Sequence, residues 1–405
     1  MKRIHGTDLH VPDGETHLLE TARKTGRPAW KDYQHDRLEA AFDHVTHWDT
    51  AIDIGAHVGL LTCEMAKKFK RVVAFEPDPE AFACLRANTD HLPNVECSLL
   101  ALGETDGEVR LDEVTDGNTG NRQIIPTGAV STSGLHAFLR AFDDLEIHPV
   151  DFIKIDVQGY EGKVLRGAAS SIIAYGPTIL VEEEPPGKLR RQLDEEGAAS
   201  RLLGSFGAVR RDRIGADRVY AFGPDGPLPY PKYADRGDYH WQQYYSGKTK
   251  PMVDEVCNYI LGQNHKSIID LGCGDGLYTV KLGAVGIDSD QMAIFHAHSH
   301  GAECRQLNIF RASSLDQCFD AVCMFDVFEH LHLQERVLQI CRKLAPVLYI
   351  LNPEPIGSRY HTREFTVAQL AEFCTLRCWR VVNTLDFPMT ARNHKTLLHL
   401  EDALR

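Results

Sequence analysis

The sequence has no apolar run approaching the length of a membrane span, and its opening stretch, MKRIHGTDLHVPDGE, starts basic without reaching an apolar segment. No spanning helix and no secretory leader are expected. Basic residues are outnumbered, 44 Lys and Arg against 57 Asp and Glu, for a formal charge of −13. An acidic chain makes a poor coat for nucleic acid, so neither nucleic acid nor membrane is an expected partner, and a small or neutral substrate fits better. The 11 cysteines are odd in number and scattered singly from Cys63 to Cys378, without the spacing of a disulfide framework. That suits a reducing cytosol, and a soluble cytoplasmic protein is expected. The two common phosphate signatures are missing too: no GxGxxG follows a strand, and no Gly-rich loop has P-loop spacing.

What is present is apolar material for two cores, 43 % of 405 residues. The segment FGPDGPLPYPKYADRG, residues 222–237, carries Pro224, Pro227, Pro229 and Pro231, which exclude helix and central strand. It predicts a domain over 1–222, a linker over 223–237 and a second domain over 238–405. Each half alternates short β-branched runs with helical stretches, which calls for crossover connections and a mainly parallel sheet. The strand candidates are TAIDIG, RVVAFE, NVECSLL, DFIKIDV, TILVEE, GAVRRDR and DRVYAFG in the first half. In the second they are SIIDLG, AVGIDSD, CRQLNI, FDAVCMFD, VLYILNP, CWRVVNTLDF and TLLHLE.

Each half opens with a glycine-rich turn after its first strand: Asp53-x-Gly55-x-x-x-Gly59 and Asp270-x-Gly272-x-Gly274-x-Gly276. In an open parallel sheet a ligand lies beyond the carboxyl ends of the strands, where glycine lets it rest on bare backbone. An acidic residue ends the next strand in both halves, Glu76 and Asp288, placed to grip ribose hydroxyls. With no phosphate signature, a phosphate-free nucleoside is the ligand this pattern suits. The span from Asp270 to Asp288 is five residues shorter than that from Asp53 to Glu76, which predicts a first helix shortened by more than a turn.

The turn followed by a strand-terminal acid resembles motifs I and II of class I S-adenosylmethionine-dependent methyltransferases. Residues 51 to about 186 resemble the FkbM-type methyltransferase family through DIGAHVG, VVAFEPDPEAFACLRAN, ALGETDGEVRL and above all DFIKIDVQGYEGKVLRGA. The second half is similar to the broad group of small-molecule methyltransferases, with a fourth strand ending in FDAVCMFDVFEHL. These resemblances imply an α/β fold: two Rossmann-like class I methyltransferase domains, each a mainly parallel seven-stranded sheet flanked by helices. They imply S-adenosylmethionine as cofactor and the hydroxyl of a sugar, glycan or natural product as methyl acceptor. By resemblance Gly55, His57 and Gly59 line the first cofactor turn and Glu76 holds the ribose; Asp326 lies at the second cofactor edge, and Asn308 stands where relatives often use Asp against adenine. FkbM relatives often carry Thr-Leu-Asp before the fourth strand, where this chain reads Gly134-Leu135-His136.

Methyl transfer to a hydroxyl is an in-line displacement that needs alignment and a base for one proton. Lys154 and Asp156, two apart on a strand, and Glu161 on the following helix are the first half's candidates; the alternative is a structural pair and a helix cap. In the second half His361, near Arg363 in NPEPIGSRYHTREF, is the candidate base, with a loop-packing role as the alternative. No metal site is expected: HAHSH places only His296 and His300 on one helix face, Glu182, Glu183 and Glu184 read as a solvated loop, and Cys374 and Cys378 lack a partner pair. The aromatic stretch DYHWQQYYSG closes over the cofactor or packs on a helix face. The two halves together suggest a bifunctional methyltransferase; the alternative is one catalytic domain beside a cofactor-binding or docking module.

Overall fold

A computed structural model describes residues 1–3, 9–18, 20, 35–112, 117–125, 134–183, 197–223, 226, 232–355, 362–390 and 393–404. The chain divides into two compact units, Met1–Gly223 and Pro224–Arg405.

The first unit begins with a small antiparallel pair, β1 (Lys2–Arg3) and β2 (His10–Val11). There follow β3 (Thr50–Ile54), β4 (Arg71–Phe75), β5 (Val95–Ser98), β6 (Ala101–Gly103), β7 (Gly107–Leu111), β8 (Ile124–Ile125) and β9 (Leu135–Ala141). Last come β10 (Phe152–Ile155), β11 (Thr178–Glu182), β12 (Val209–Ile214) and β13 (Asp217–Ala221). Seven of these form one sheet in the order β12-β13-β11-β10-β3-β4-β5. Its central strands are parallel, and β13 runs antiparallel to both neighbours. The strand β3 is buried along its whole length, because helices cover both faces; that is why it reads as an apolar run rather than an alternation. Phe42, at the end of the helix His35–Phe42, meets Trp48, Phe69 and Phe152 edge-on at 5.4 to 5.9 Å and anchors the core on one face.

The second unit contains β14 (Ile268–Leu271), β15 (Val285–Asp288), β16 (Glu303–Gln306), β17 (Ala321–Phe325), β18 (Val347–Pro353), β19 (Trp379–Thr390) and β20 (Asn393–Asp402). Their order, β16-β15-β14-β17-β18-β20-β19, repeats that of the first unit, with β20 antiparallel to both neighbours. Both sheets are thus the seven-stranded, mainly parallel kind the sequence predicts. In each, the order reverses between the first and fourth strands, β3 and β10 or β14 and β17, the place where open sheets of this kind bind their ligands.

Two expectations are corrected. The first helix of the second unit, Leu277–Leu282, is only one residue shorter than its counterpart Leu60–Ala66. The rest of the shortening falls in the connection and in the start of β15. The first unit also carries a second sheet the sequence does not predict, β6-β9-β7-β8. Gly134-Leu135-His136 enters this sheet; among the acids between β9 and β10, Asp143 accepts from Ser170 N and Ser171 N, both at 2.9 Å, and Asp151, directly before β10, accepts from Asp49 N and Thr50 N at 2.8 and 2.9 Å. Among the described residues, no helix is long and apolar enough to cross a membrane.

Candidate active sites

In the first unit a cavity of about 510 Å³ opens at the carboxyl ends of β3, β4, β10 and β11. Its floor is the turn Gly55-Ala56-His57-Val58. Gly55 has φ +78°, and a Cβ there would stand 1.9 Å from the backbone oxygen of Asp156, so the turn can lie against β10 only with glycine at this place. The carboxylate of Glu76 accepts from His57 N and Asp78 N, each at 2.8 Å, which fixes it at the cavity edge. Burial pushes its pKa up to about 7, against those two amide bonds.

Of the other predicted residues, Asp53 and Gly59 lie beneath the turn rather than along the cavity. Asp53 is fully buried, accepts from Thr62 Oγ1 at 2.6 Å and pairs with Lys154 Nζ at 3.2 Å. Gly59 begins the helix Leu60–Ala66 against Leu85. Lys154 reaches the cavity wall but donates to Gly55 O at 2.7 Å. Burial opposes its charge, yet Asp53 and Asp156 outweigh that and raise its pKa, which favours the structural pair among the roles the sequence allows Lys154. Glu161 does not line the cavity. Its Oε1 accepts from Gly159 N at 3.0 Å and Val157 N at 3.2 Å, which ties down the loop before the helix rather than capping the helix, and burial raises its pKa to about 7. Asp156 does face the cavity, and Gln158 Nε2 bridges it to Glu182 at 2.9 and 3.1 Å. Glu183 instead accepts from Ser200 N at 2.9 Å, and Glu184 lies outside the described residues.

The cavity has a second wall with no sequence signal: Asn118 to Arg122, with His17 and Leu18. Arg122 pairs with Asp78, and Thr119 joins buried Glu15 to His57. These contacts span 44, 62 and 104 residues, so no local spacing encodes them.

The second unit repeats the backbone scheme. Asp288 accepts from Gly274 N and Asp290 N, both at 2.9 Å, as Glu76 does from His57 N and Asp78 N. Burial raises its pKa to about 6. Asp270 is buried and accepts from Thr279 Oγ1 at 2.6 Å, but Cys323 stands opposite it on β17 where Lys154 stands opposite Asp53, and its Oδ1 has no hydrogen-bond partner. Gly272 packs on Val327, and Gly276 begins the helix Leu277–Leu282 against Ala297 and Ala302. A Cβ on Gly274 would stand 2.1 Å from the Tyr233 hydroxyl, so this tyrosine occupies the space beside the turn. The aromatic stretch is anchored to the same turn: Asp275 accepts from His240 N at 2.8 Å, and its carbonyl accepts from Trp241 Nε1 at 2.9 Å. Asp326, just past β17, pairs with Lys395, and Asn308 Oδ1 caps the turn Ile309–Ser314 through Phe310 N at 2.9 Å. His361 lies outside the described residues. His298 and His300 engage Cys304 O and Asp238, and among the described residues no group of three His, Cys, Asp or Glu could hold a metal.

Two copies of one sheet order, each with a glycine turn bonded to a strand-terminal acid, define class I methyltransferase units. Residues 53–211 match the methyltransferase FkbM domain and residues 243–398 a methyltransferase domain, so the chain is an FkbM-type domain followed by a second methyltransferase domain. Over 144 residues it is 24 % identical to the hexuronic acid methyltransferase AglP of Haloferax volcanii; the match takes in 34 % of this chain and 58 % of that relative, a little over half its length. Similar solved structures include the magnesium protoporphyrin IX methyltransferase of Synechocystis with bound S-adenosylhomocysteine, at 13 % identity and a TM-score of 0.35, covering 42 % of this chain and 96 % of that one. Another is an FkbM methyltransferase of Methylobacillus flagellatus, at 17 % identity and a TM-score of 0.30, covering 51 % and 60 %.

The cofactor of such domains is S-adenosylmethionine, and the first cavity suits it chemically. Leu100, Ala101 and Leu102 offer an apolar wall for a base, Glu76 has lone pairs left for a ribose diol, and the carboxylates of Asp156 and Glu182 favour a cationic ligand.

Proposed function

We propose that the first unit methylates a hydroxyl of a sugar or hydroxylated natural product, with S-adenosylmethionine supplying an electrophilic methyl group. The observation that carries this reading is the cavity wall in which Gln158 holds Asp156 and Glu182 side by side beyond the strand ends. Two adjacent carboxylates accept hydrogen bonds from neighbouring hydroxyls, and Asp156 takes the proton of the one being methylated. Gly55, His57 and Glu76 hold the cofactor, while Lys154 keeps the turn in place from behind. The match to a hexuronic acid methyltransferase supports an acceptor of the sugar class.

The second unit enters the proposal as a second methyltransferase, with Asp288 in the role of Glu76. Tyr233 against Gly274 favours another reading, in which only the first unit turns over. Labelled methyl transfer to a panel of sugars and hexuronates tests both, using the full chain and the variants Glu76→Ala and Asp288→Ala. Loss of part of the transfer with each variant supports two active units; loss of all of it with the first and none with the second supports one. No transfer to any hydroxylated acceptor sinks the proposal.

A further inference from the structure

The side chain of His57 is held in a way that cofactor binding through the turn backbone does not require. His57 has φ +50°, a left-handed conformation that is uncommon outside glycine, and its Nε2 lies 2.7 Å from Thr119 Oγ1. Thr119 Oγ1 donates to Glu15 Oε2 at 2.6 Å, and Thr119 N donates to the same oxygen at 3.0 Å. Glu15 is wholly buried, and its other oxygen accepts from Leu18 N at 2.9 Å. A hydroxyl has one hydrogen. Because Thr119 gives its hydrogen to the carboxylate, its oxygen can only accept from the imidazole, so His57 carries its proton on Nε2. Nδ1 is then left as an acceptor, and it has no partner among the described residues. It abuts Gly120, where even an added Cβ would be 3.7 Å away. Burial is the largest influence on the ring and disfavours the imidazolium; Glu15, Asp78 and Asp156 favour it, Lys154 opposes it, and the net effect lowers the pKa and keeps the ring neutral.

We infer that Glu15 and Thr119 are positioning residues that lock His57 as a hydrogen-bond acceptor for the ammonium group at the amino-acid end of S-adenosylmethionine. The inference rests on the reading of this cavity as the cofactor site. The ammonium is favoured as donor because His57 sits within the glycine turn itself, between Gly55 and Gly59, with its own amide bonded to Glu76. The second unit fills the equivalent place independently: Gly274 is four residues past Asp270 as His57 is past Asp53, and the Tyr233 hydroxyl occupies the side-chain space there. A polar group thus stands beside the turn at one place in both copies, although it comes from different parts of the chain.

The test is nitrogen NMR of histidine side chains in the full chain, with the His57 signal assigned by its loss in His57→Asn. The expected signal is that of the Nε2–H tautomer. In Glu15→Ala the Thr119 hydroxyl loses its carboxylate acceptor and can turn toward Nε2, and the expected result is a shift toward the Nδ1–H tautomer. Following the same signal during titration reads the first site alone. S-Adenosylmethionine is expected to bind about tenfold more weakly to Glu15→Ala and Thr119→Val, as befits loss of one charge-assisted bond. 5′-Methylthioadenosine, which lacks the amino-acid end, is expected to bind all forms alike, and Thr119→Ser should restore the wild-type behaviour. A wild-type Nδ1–H tautomer, or equal weakening of both ligands, overturns the inference. Failure of either ligand to perturb His57 in the wild type would instead remove the cofactor reading of the cavity, while the tautomer still decides whether the lock exists.

Discussion

The same substitution is expected to have opposite effects in the two copies of the glycine turn. Asp53 and Asp270 are both buried, and both accept from a threonine nine residues on. Asp53 also faces Lys154 across the β3–β10 ladder, whereas Asp270 faces Cys323 across β14–β17. With no cation opposite, burial drives the pKa of Asp270 from 3.8 to about 7, with Asp288 adding to the rise and Thr279 opposing it. A raised acid means that the folded state holds a proton the unfolded state has lost, between roughly pH 4 and 7. Stability of the second unit therefore falls as pH rises through that window, and the full cost, up to about 4 kcal/mol, is in place above pH 7. Asp270→Asn removes an ionisation without removing the shape. It should stabilise the second unit by roughly 2–4 kcal/mol at pH 8 and by less than about 1 kcal/mol at pH 4. Asp53→Asn instead leaves Lys154 buried without its counter-ion, and should destabilise the first unit by about 3–5 kcal/mol. Hydrogen exchange read by mass spectrometry separates the units, through peptides covering β3 and β14. Destabilisation by both substitutions at pH 8, or a gain from Asp270→Asn that does not shrink toward pH 4, refutes the reasoning.

Asp156→Asn should lower kcat by about 10²- to 10⁴-fold, the scale of a lost general base, with a much smaller loss of cofactor affinity because Glu182 keeps a carboxylate beside the cation. Glu161→Ala should leave turnover per folded molecule unchanged and cost about 1–3 kcal/mol in unfolding free energy, because two amides lose their acceptor. Affinity of the first site for S-adenosylmethionine should decline as pH drops through about 7, where buried Glu76 gains its proton and the ribose loses a charged acceptor; Glu76→Gln should flatten that profile in calorimetry between pH 6 and 8. Gly55→Ala, with its Cβ 1.9 Å from Asp156 O, should abolish cofactor binding to the first unit and leave one site per chain in the same titration. Two sites in that variant would mean that the turn does not form the cradle.

The large sheets are legible because their central strands are buried on both faces, and short buried runs such as TAIDI and AVCMF between turn signals leave little else for the chain to do. The smaller sheet is not, because its strands are short or turned outward: β9, LHAFLRA, exposes Phe138 at 64 % and hides Ala137, so hydrophobicity no longer marks the inner face. Within the site, Gly55 and Glu76 are legible because backbone approach and a strand-terminal acid are local patterns. Lys154 and Glu161 illustrate the limit of residue type. Both are ionisable and near the strand end, yet one is neutralised by Asp53 from a neighbouring strand and the other turns back on its own loop. The Glu15–Thr119–His57 chain leaves no pattern at all, since its members are brought together only by the folded first unit.

The unequal glycine content of the two turns follows from what lies above them rather than below. Beneath both, the strand-terminal acid accepts the same two amides, and the backbone is left-handed at the middle residue of each, φ +50° at His57 and +56° at Gly274. The backbone of the second turn therefore accommodates a side chain in the conformation that His57 already adopts. What forbids one is the Tyr233 hydroxyl, 2.1 Å from the place of the Cβ. Gly274→His should then destabilise the second unit by about 1–3 kcal/mol and expose Tyr233, the cost of an overpacked site. Adding Tyr233→Ala should recover most of that loss, although Tyr233→Ala alone removes buried surface and is itself destabilising. Such a sign reversal in a double-mutant cycle, measured by hydrogen exchange over the helix Tyr239–Tyr245, arises only if the two side chains compete for one space. Additive losses would place the demand for glycine in the backbone instead, and the two turns would then differ beneath as well as above.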